Sequence, residues 1–208
     1  VNAFRKTAAL VAILAVGGVG FSACAQEDSA ASSDVVYKEF VEGNPDAPVT
    51  VLEYASLTCS HCANFYNHGY PQLKEQYIDT GKIRFVFRDF PTAPQQLATA
   101  AAMVARCAPE GRGKTIIGMI FKNQGDFFQN PNDSIRGYAQ LAGMTSEEVD
   151  ACLKNQNVFD EIERVATTAV NVYKVRATPT FFVNDEMVEG EVWETLKNTI
   201  DDALEDAE

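Results

Sequence analysis

The stretch Val49-Thr50-Val51-Leu52-Glu53-Tyr54, followed after four residues by Cys59-Ser60-His61-Cys62, runs from a β-rich segment directly into two cysteines one helical turn apart. The first segment favours extended backbone, and apolar residues recur at helical spacing from Cys59 toward Tyr77, with Gly81 as a stop. The spacing therefore predicts a strand feeding a helix that begins at Cys59. Ile83-Arg84-Phe85-Val86-Phe87 alternates and predicts the next strand, ahead of Pro91. Upstream, residues 35–41 read as a further strand, separated from Val49 by the turn cluster Gly43-Asn44-Pro45-Asp46-Ala47-Pro48.

Beyond this βαβ unit the pattern becomes helical. Residues 95–107, 115–122, 134–142 and 146–154 have helical character, and Thr145 with Glu148 predicts a capping box. Residues 159–173 place Phe159, Ile162, Val165, Ala169 and Val172 at helical spacing. The period then changes over Thr180-Phe181-Phe182-Val183, Asn184-Asp185 and Glu186-Met187-Val188, which predicts a hairpin. A last helix fits residues 191–204, with Val192, Trp193, Leu196 and Ile200 on one face. The order gives an α/β fold interrupted by a helical block, without internal repeats.

The chain has 208 residues, 46% hydrophobic and 22% charged, which excludes a disordered, collagenous or multispanning membrane protein. The formal charge of −12 makes nucleic acid an unsuitable partner, the more so because the first 23 residues hold only the cations Arg5 and Lys6. Those two precede an apolar run over residues 8–21 that is shorter than the ~20 residues needed to span hydrocarbon. Residues 1–23 are expected to be an export signal, and the protein is expected in the periplasm. Two cleavage sites compete: Phe21-Ser22-Ala23-Cys24 resembles a lipobox with Cys24 as lipid anchor, while Ala23-Cys24-Ala25 suits ordinary signal peptidase. Residues 24–34 are too polar to build a core and read as a flexible linker.

Five cysteines in an exported chain become four once Cys24 is assigned to the signal. Cys59 and Cys62 differ in kind from Cys107 and Cys152, which lie far apart in sequence. The first pair reads as redox-active; the second is expected to form a structural disulfide between the first and fourth helices of the helical block. A helix N-terminus offers unpaired N–H groups and partial positive charge, which favours a thiolate at Cys59. His61 can add a hydrogen bond or positive charge. Cys59 is then the attacking sulfur, and Cys62 resolves mixed disulfides.

With Thr178-Pro179-Thr180-Phe181 added, these motifs resemble a DsbA-type thiol oxidase over residues 35–204. The resemblance implies a thioredoxin-like fold in two parts, 35–93 and 172–208, with a helical subdomain inserted at 94–171. It further implies that Glu53 is a buried carboxylate managing protons near Cys62. Pro179 would be a cis-proline facing the active site, and Thr178 would offer backbone groups to an extended substrate. Ser60 stands where the best-known members have proline, so it bears on the redox potential. The implied partners are reduced or unfolded exported proteins and a DsbB-like membrane quinone reductase, and the implied state is monomeric.

Competing readings attach to several residues. Taken alone, Glu53 is a strand-edge carboxylate and nothing local demands a cis bond at Pro179. A structural zinc site lacks a second Cys-x-x-Cys, so no metal and no cofactor beyond the redox disulfide is expected; two soft thiolates leave copper(I) handling as an alternative function. A thioredoxin-like reductase or isomerase is the other, although the segment before the first strand is too short for a dimerisation domain. Ala108-Pro109-Glu110-Gly111-Arg112-Gly113-Lys114-Thr115 imitates a phosphate loop but follows a helix rather than a strand. His68 reads as a surface or packing residue, the methionines as core filler, and residues 201–208 as a solvated helix end.

Overall fold

The structure is a computed structural model that describes residues 37–188 and 192–207. The expected export signal (1–23), Cys24, the linker (24–34) and the start of the first strand at Val35 lie outside the described residues.

Five strands form one sheet in the order β1-β3-β2-β4-β5: β1 Phe40–Gly43, β2 Val49–Ala55, β3 Ile83–Asp89, β4 Thr180–Val183 and β5 Glu186–Met187. β2 and β3 pair in parallel, as a βαβ crossover requires, while β1, β4 and β5 each pair antiparallel with a neighbour. β1 is displaced from the expected strand over 35–41: residues 37–39 are outside the ladder, and the strand runs on to Gly43, a residue expected in the turn. The Lys38 carbonyl, which a longer ladder would need, accepts a 2.6 Å bond from Arg106 Nη1 instead. At its other end Gly43 has φ +85°, and a Cβ there would fall 2.2 Å from the Ile83 carbonyl oxygen.

The single helix expected from Cys59 to Tyr77 is broken. α1 covers Ser60–His68 and α2 covers Tyr70–Leu73, and a π-helical turn follows at Lys74–Ile78. The break falls at Gly69, whose missing Cβ admits the Phe65 ring, and Pro71 restarts the chain in the first turn of α2.

The insert comprises α3 Gln95–Cys107, α4 Gly113–Lys122, α5 Gln124–Gln129, α6 Pro131–Leu141, α7 Ser146–Leu153 and α8 Gln156–Asn171. α5 was not expected: six residues with Gly125 and Asp126 among them carry too little periodicity to register. Its addition makes α7 the fifth helix of the insert. Cys107 and Cys152 are joined, with their Cα atoms 6.1 Å apart, so the disulfide ties the first helix to the fifth rather than the fourth. The capping box at Thr145 and Glu148 is formed by bonds of 3.1 and 2.7 Å. α8 begins earlier than expected because Asn155 caps it, accepting from the N–H groups of Asn157 and Val158. Its buried stripe is Val158, Ile162, Val165 and Ala169; Phe159 and Val172 are 38% and 66% exposed, since starting the stripe one residue earlier turns both to solvent.

The phosphate-loop look-alike is a helix–helix turn. Gly111 takes φ +77°, Gly113 starts α4 where a Cβ would strike the Ala105 carbonyl, and Lys114 pairs with Glu42 at 3.3 Å.

The sheet is buried on both faces. Val49, Val51, Ala55, Ile83, Phe85, Phe87, Phe181 and Val183 pack with α1, the insert and the C-terminal helix α9, Val192–Glu205, through Leu196 and Ile200. Leu52, Tyr54, Val86 and Phe182 on the other face meet Val165 and Ala169 of α8. In α9, Trp193 is half-buried, and the side chain of Val192 lies outside the described residues. Two minor expectations need correction. Met187 is exposed, because β5 is an edge strand, and Asp201 is not merely solvated, since it accepts bonds from Tyr77 Oη at 2.6 Å and Lys197 Nζ at 2.5 Å.

One buried ion pair fastens the insert to the sheet. Arg106 of α3 meets Asp89 at the end of β3 at 2.6 Å, both side chains essentially inaccessible, while the aromatic rings of Tyr37 and Phe40 cover the guanidinium. Such a pair is tolerable in the interior only because the remaining donors find the carbonyls of Lys38 and Phe87.

Candidate active site

The C-terminal end of β2 delivers the chain into a hydroxyl-rich turn. Ser56 Oγ and Thr58 Oγ1 lie 3.0 Å apart, Thr58 Oγ1 donates to the Thr92 carbonyl at 3.2 Å, and the Thr92 N–H donates back to Ser56 Oγ at 3.1 Å. Short hydroxyl side chains bonding to nearby backbone hold such a turn without regular structure. The turn ends with the Cys59 N–H donating to the Ser56 carbonyl at 3.0 Å, which sets Cys59 as the N-cap of α1.

As the cap, Cys59 has extended backbone, and its sulfur accepts from the Cys62 N–H at 3.4 Å. The residue is half-buried, whereas Cys62 is fully buried within α1; both are free thiols. Hydrogen bonding from the Cys62 side chain, aided by the Thr178 side chain and by the backbone N–H groups of Cys62 and His61, lowers the Cys59 pKa to about 5 against the opposing effect of burial. Thr178 acts on both protonation states, because its carbonyl also accepts from the protonated thiol at 3.2 Å. Burial drives the Cys62 pKa far above the ordinary thiol range, reinforced by the Cys59 hydrogen bond and the charge of Glu53. The two sulfurs are thus opposite in character, one an accessible thiolate and one a buried thiol.

Glu53 sits in β2, in register between Phe87 of β3 and Phe181 of β4, and is 4% exposed. It occupies the face that Val49, Val51 and Ala55 give to the core, so a carboxyl group replaces a hydrocarbon beneath α1. Burial first, and then the Cys59 thiolate, raises its pKa to about 8. The interior location removes the strand-edge reading.

The peptide bond Thr178–Pro179 is cis, as the resemblance implied, and so is Ala93–Pro94, which nothing in the sequence marked. Cys59, Cys62, Glu53, Thr178 and Pro179 therefore come together at one end of the sheet. Ser60 and His61 are exposed on the first turn of α1, and the support His61 gives to the Cys59 thiolate comes through its backbone N–H rather than its ring. His68 is exposed at the far end of α1. The Cys107–Cys152 disulfide belongs to the insert and makes no hydrogen bond to the Cys59 turn. Among the described residues, no group of three or more His, Cys, Asp and Glu side chains converges as a metal site would require.

Sequence reasoning missed Gln124. Its Nε2 donates to the Leu57 carbonyl at 3.0 Å and to the Cys59 carbonyl at 3.1 Å, reaching from the first residue of α5 into the active-site turn. A glutamine 65 residues downstream carries no local signal for such a contact. The hydroxyls of Ser56 and Thr58 could have been read as turn formers, since they stand between a strand and a capped helix.

Comparison with known proteins agrees with this geometry. The thioredoxin family profile matches residues 36–202. A Rickettsia bellii chain named as a protein-disulfide oxidoreductase is 32% identical over 172 residues, covering 81% of this chain and 66% of its own length. This chain therefore spans just under two thirds of that relative. The crystal structure of Wolbachia pipientis alpha-DsbA1 superposes with a TM-score of 0.73 at 28% identity, covering 83% of this chain and 94% of that one. Oxidised BdbD from Bacillus subtilis, at 23% identity and a TM-score of 0.70 over 80% of this chain and 93% of its own, shares the fold. With α3–α8 inserted in a thioredoxin-like sheet and a Cys-x-x-Cys at the start of α1, the chain belongs to the DsbA-like thiol-disulfide oxidoreductases of the thioredoxin superfamily.

Proposed function

We propose that this protein is a thiol oxidase of the periplasm, which donates the Cys59–Cys62 disulfide to reduced exported proteins. The observation that carries the direction is the asymmetry of the two sulfurs: Cys59 is the half-buried N-cap of α1 and accepts from the Cys62 N–H, whereas Cys62 is fully buried, so the thiolate that the site favours is on Cys59 and exists only in the reduced pair. Surroundings that favour the reduced pair raise its reduction potential and make the disulfide a ready electron acceptor.

In the forward direction a client thiolate attacks Cys59 Sγ. The Cys59–Cys62 bond breaks, and Cys62 leaves as a thiolate. Burial makes that anion costly, so it takes a proton, and Glu53, whose carboxyl burial alone holds above the ordinary carboxylate range while Cys59 is bonded, is the donor. A second client thiolate then attacks the client sulfur of the mixed disulfide, which forms the client disulfide and releases Cys59 as its stabilised thiolate. Two electrons pass from the client dithiol to the protein, and Glu53 recovers its proton from solvent. Thr178 and Pro179 flank Cys59 where an extended client would lie, with the Thr178 carbonyl beside the reacting sulfur.

Reoxidation falls to a DsbB-like membrane quinone reductase. The export signal at residues 1–23 supports the periplasmic setting, with Cys24 as lipid anchor if the lipobox is cleaved, and the protein acts as a monomer. The test is catalysed refolding of a reduced, disulfide-containing client by the oxidised protein, with a copper(I) titration of the reduced protein beside it. Stoichiometric transfer of the disulfide supports the oxidase. Tight copper binding without transfer favours the metal-handling alternative, and net reduction of client disulfides favours a reductase or isomerase.

A further inference from the structure

We infer that Gln124 is a positioning residue through which the helical insert sets the redox preference of the Cys59–Cys62 pair. The inference rests on that pair being redox-active, and deepens that reading by naming the part of the insert that governs it.

Thiolate stabilisation at Cys59 depends on N–H groups of the first turn of α1 pointing at its sulfur, and the Cys62 N–H does so at 3.4 Å. That distance is long, so a small rotation of the cap removes the bond. The orientation of the cap is fixed by the carbonyls around it. The Cys59 carbonyl accepts the first helical bond, from the Ala63 N–H at 3.1 Å, and the Leu57 carbonyl precedes the helix and has no place in its ladder. Gln124 Nε2 donates to both of these oxygens. One side-chain amide therefore clamps the backbone on each side of Thr58, from outside the thioredoxin-like sheet domain.

The clamp is itself held firmly. Gln124 opens α5, the Asn123 N–H bonds the carbonyls of Met119 and Ile120 at the end of α4, and Phe127, one turn into α5, is fully buried. α4 packs on α1 closely enough that a Cβ at Gly118 would fall 2.3 Å from the Tyr66 hydroxyl. The insert and α1 thus form one packed unit, and Gln124 is the point where that unit grips the turn bearing Cys59. Glutamine suits the task because its amide N–H groups are neutral donors. A carboxylate at the same place would face two carbonyl oxygens with no proton to offer.

Two variants test this. Gln124→Met keeps length and removes the donors; Gln124→Glu keeps the shape and replaces donors with acceptors above its own pKa. The readouts are the Cys59 titration followed by thiolate absorbance, the equilibrium with glutathione, and thermal unfolding of the oxidised form. In both variants we expect Cys59 to bind its proton roughly three- to tenfold more tightly, and the glutathione equilibrium to move by the same factor toward the disulfide; tenfold corresponds to about 30 mV. A merely structural role would lower the melting temperature and leave titration and equilibrium at their wild-type values, and that result in both variants overturns the inference. A wild-type Cys59 that titrates near 9 overturns the redox reading and this inference together, whereas a depressed wild-type value unchanged by either variant overturns this inference alone.

Discussion

Replacing Glu53 by glutamine should change how stability depends on pH, and the sign follows from where the carboxyl group sits. In the unfolded chain the group titrates near its ordinary 4.5; in the folded protein burial and the Cys59 thiolate raise it to about 8. A carboxyl whose folded pKa is raised binds more protons in the native state. Its contribution is fully present below pH 4.5 and is lost as pH rises to 8, at about 1.36 kcal/mol per pH unit. From pH 5 to pH 8 the loss is up to about 4 kcal/mol. The oxidised protein is the form to use, because in the reduced form Cys59 titrates over the same range with the opposite sign. Its pKa is depressed to about 5 from 9.0, which adds stability as pH rises through that window. With Cys59 locked in the disulfide only burial, the larger cause, acts on Glu53, so the loss in that form falls below about 4 kcal/mol and ends at a lower pH. Urea unfolding of oxidised wild type and Glu53→Gln at pH 5, 6, 7 and 8 gives the comparison: the variant should gain on wild type steadily across the series. Parallel profiles, agreeing within about 0.5 kcal/mol, would refute a buried, protonated Glu53 and with it the proposed proton donor to Cys62.

Removing the second disulfide as Cys107→Ala with Cys152→Ala opens a loop whose ends lie 45 residues apart, which in the chain-entropy picture costs about 4 kcal/mol. For a domain of this size that is a fall of roughly 8–16 °C in melting temperature, and a fall under about 2 °C would show that the staple constrains little. Arg106→Met strands the Asp89 carboxylate in the interior and should destabilise by about 3–5 kcal/mol in chemical unfolding, with Asp89→Leu added to it restoring much of the loss. A double variant as unstable as the single one would place the effect in packing against Tyr37 and Phe40 rather than in the stranded charge.

What could be read from the sequence was whatever is encoded locally. The strand at Val49, the helix start near Cys59, the capping box at Thr145 and the Asn184-Asp185 turn each announce themselves within a few residues, because propensity, capping and turn chemistry act at short range. The breaks were less visible. Gly69 interrupts a helix whose apolar spacing continues across it, and only the Phe65 ring, seen in three dimensions, explains why a glycine is there. Glu53 is a case of tertiary context overriding a residue's usual preference: nothing within β2 distinguishes a carboxylate facing solvent from one facing α1. The long-range contacts were invisible for the same reason. Arg106 with Asp89, and Gln124 with Leu57 and Cys59, join residues whose only relation is that the fold brings them together.

The decisive measurement for the thiol oxidase is the titration of the Cys59 thiol in the reduced protein, followed by thiolate absorbance with Cys62 as the buried, non-titrating partner. A Cys59 sulfur held by the cap should titrate with a midpoint near 5, so that at pH 7 the thiolate outnumbers the thiol by about a hundred to one. A midpoint near 9, the value of an unassisted thiol, would mean that the helix cap, Cys62 and Thr178 do not hold the anion, and the reading of this protein as an oxidase would be contradicted.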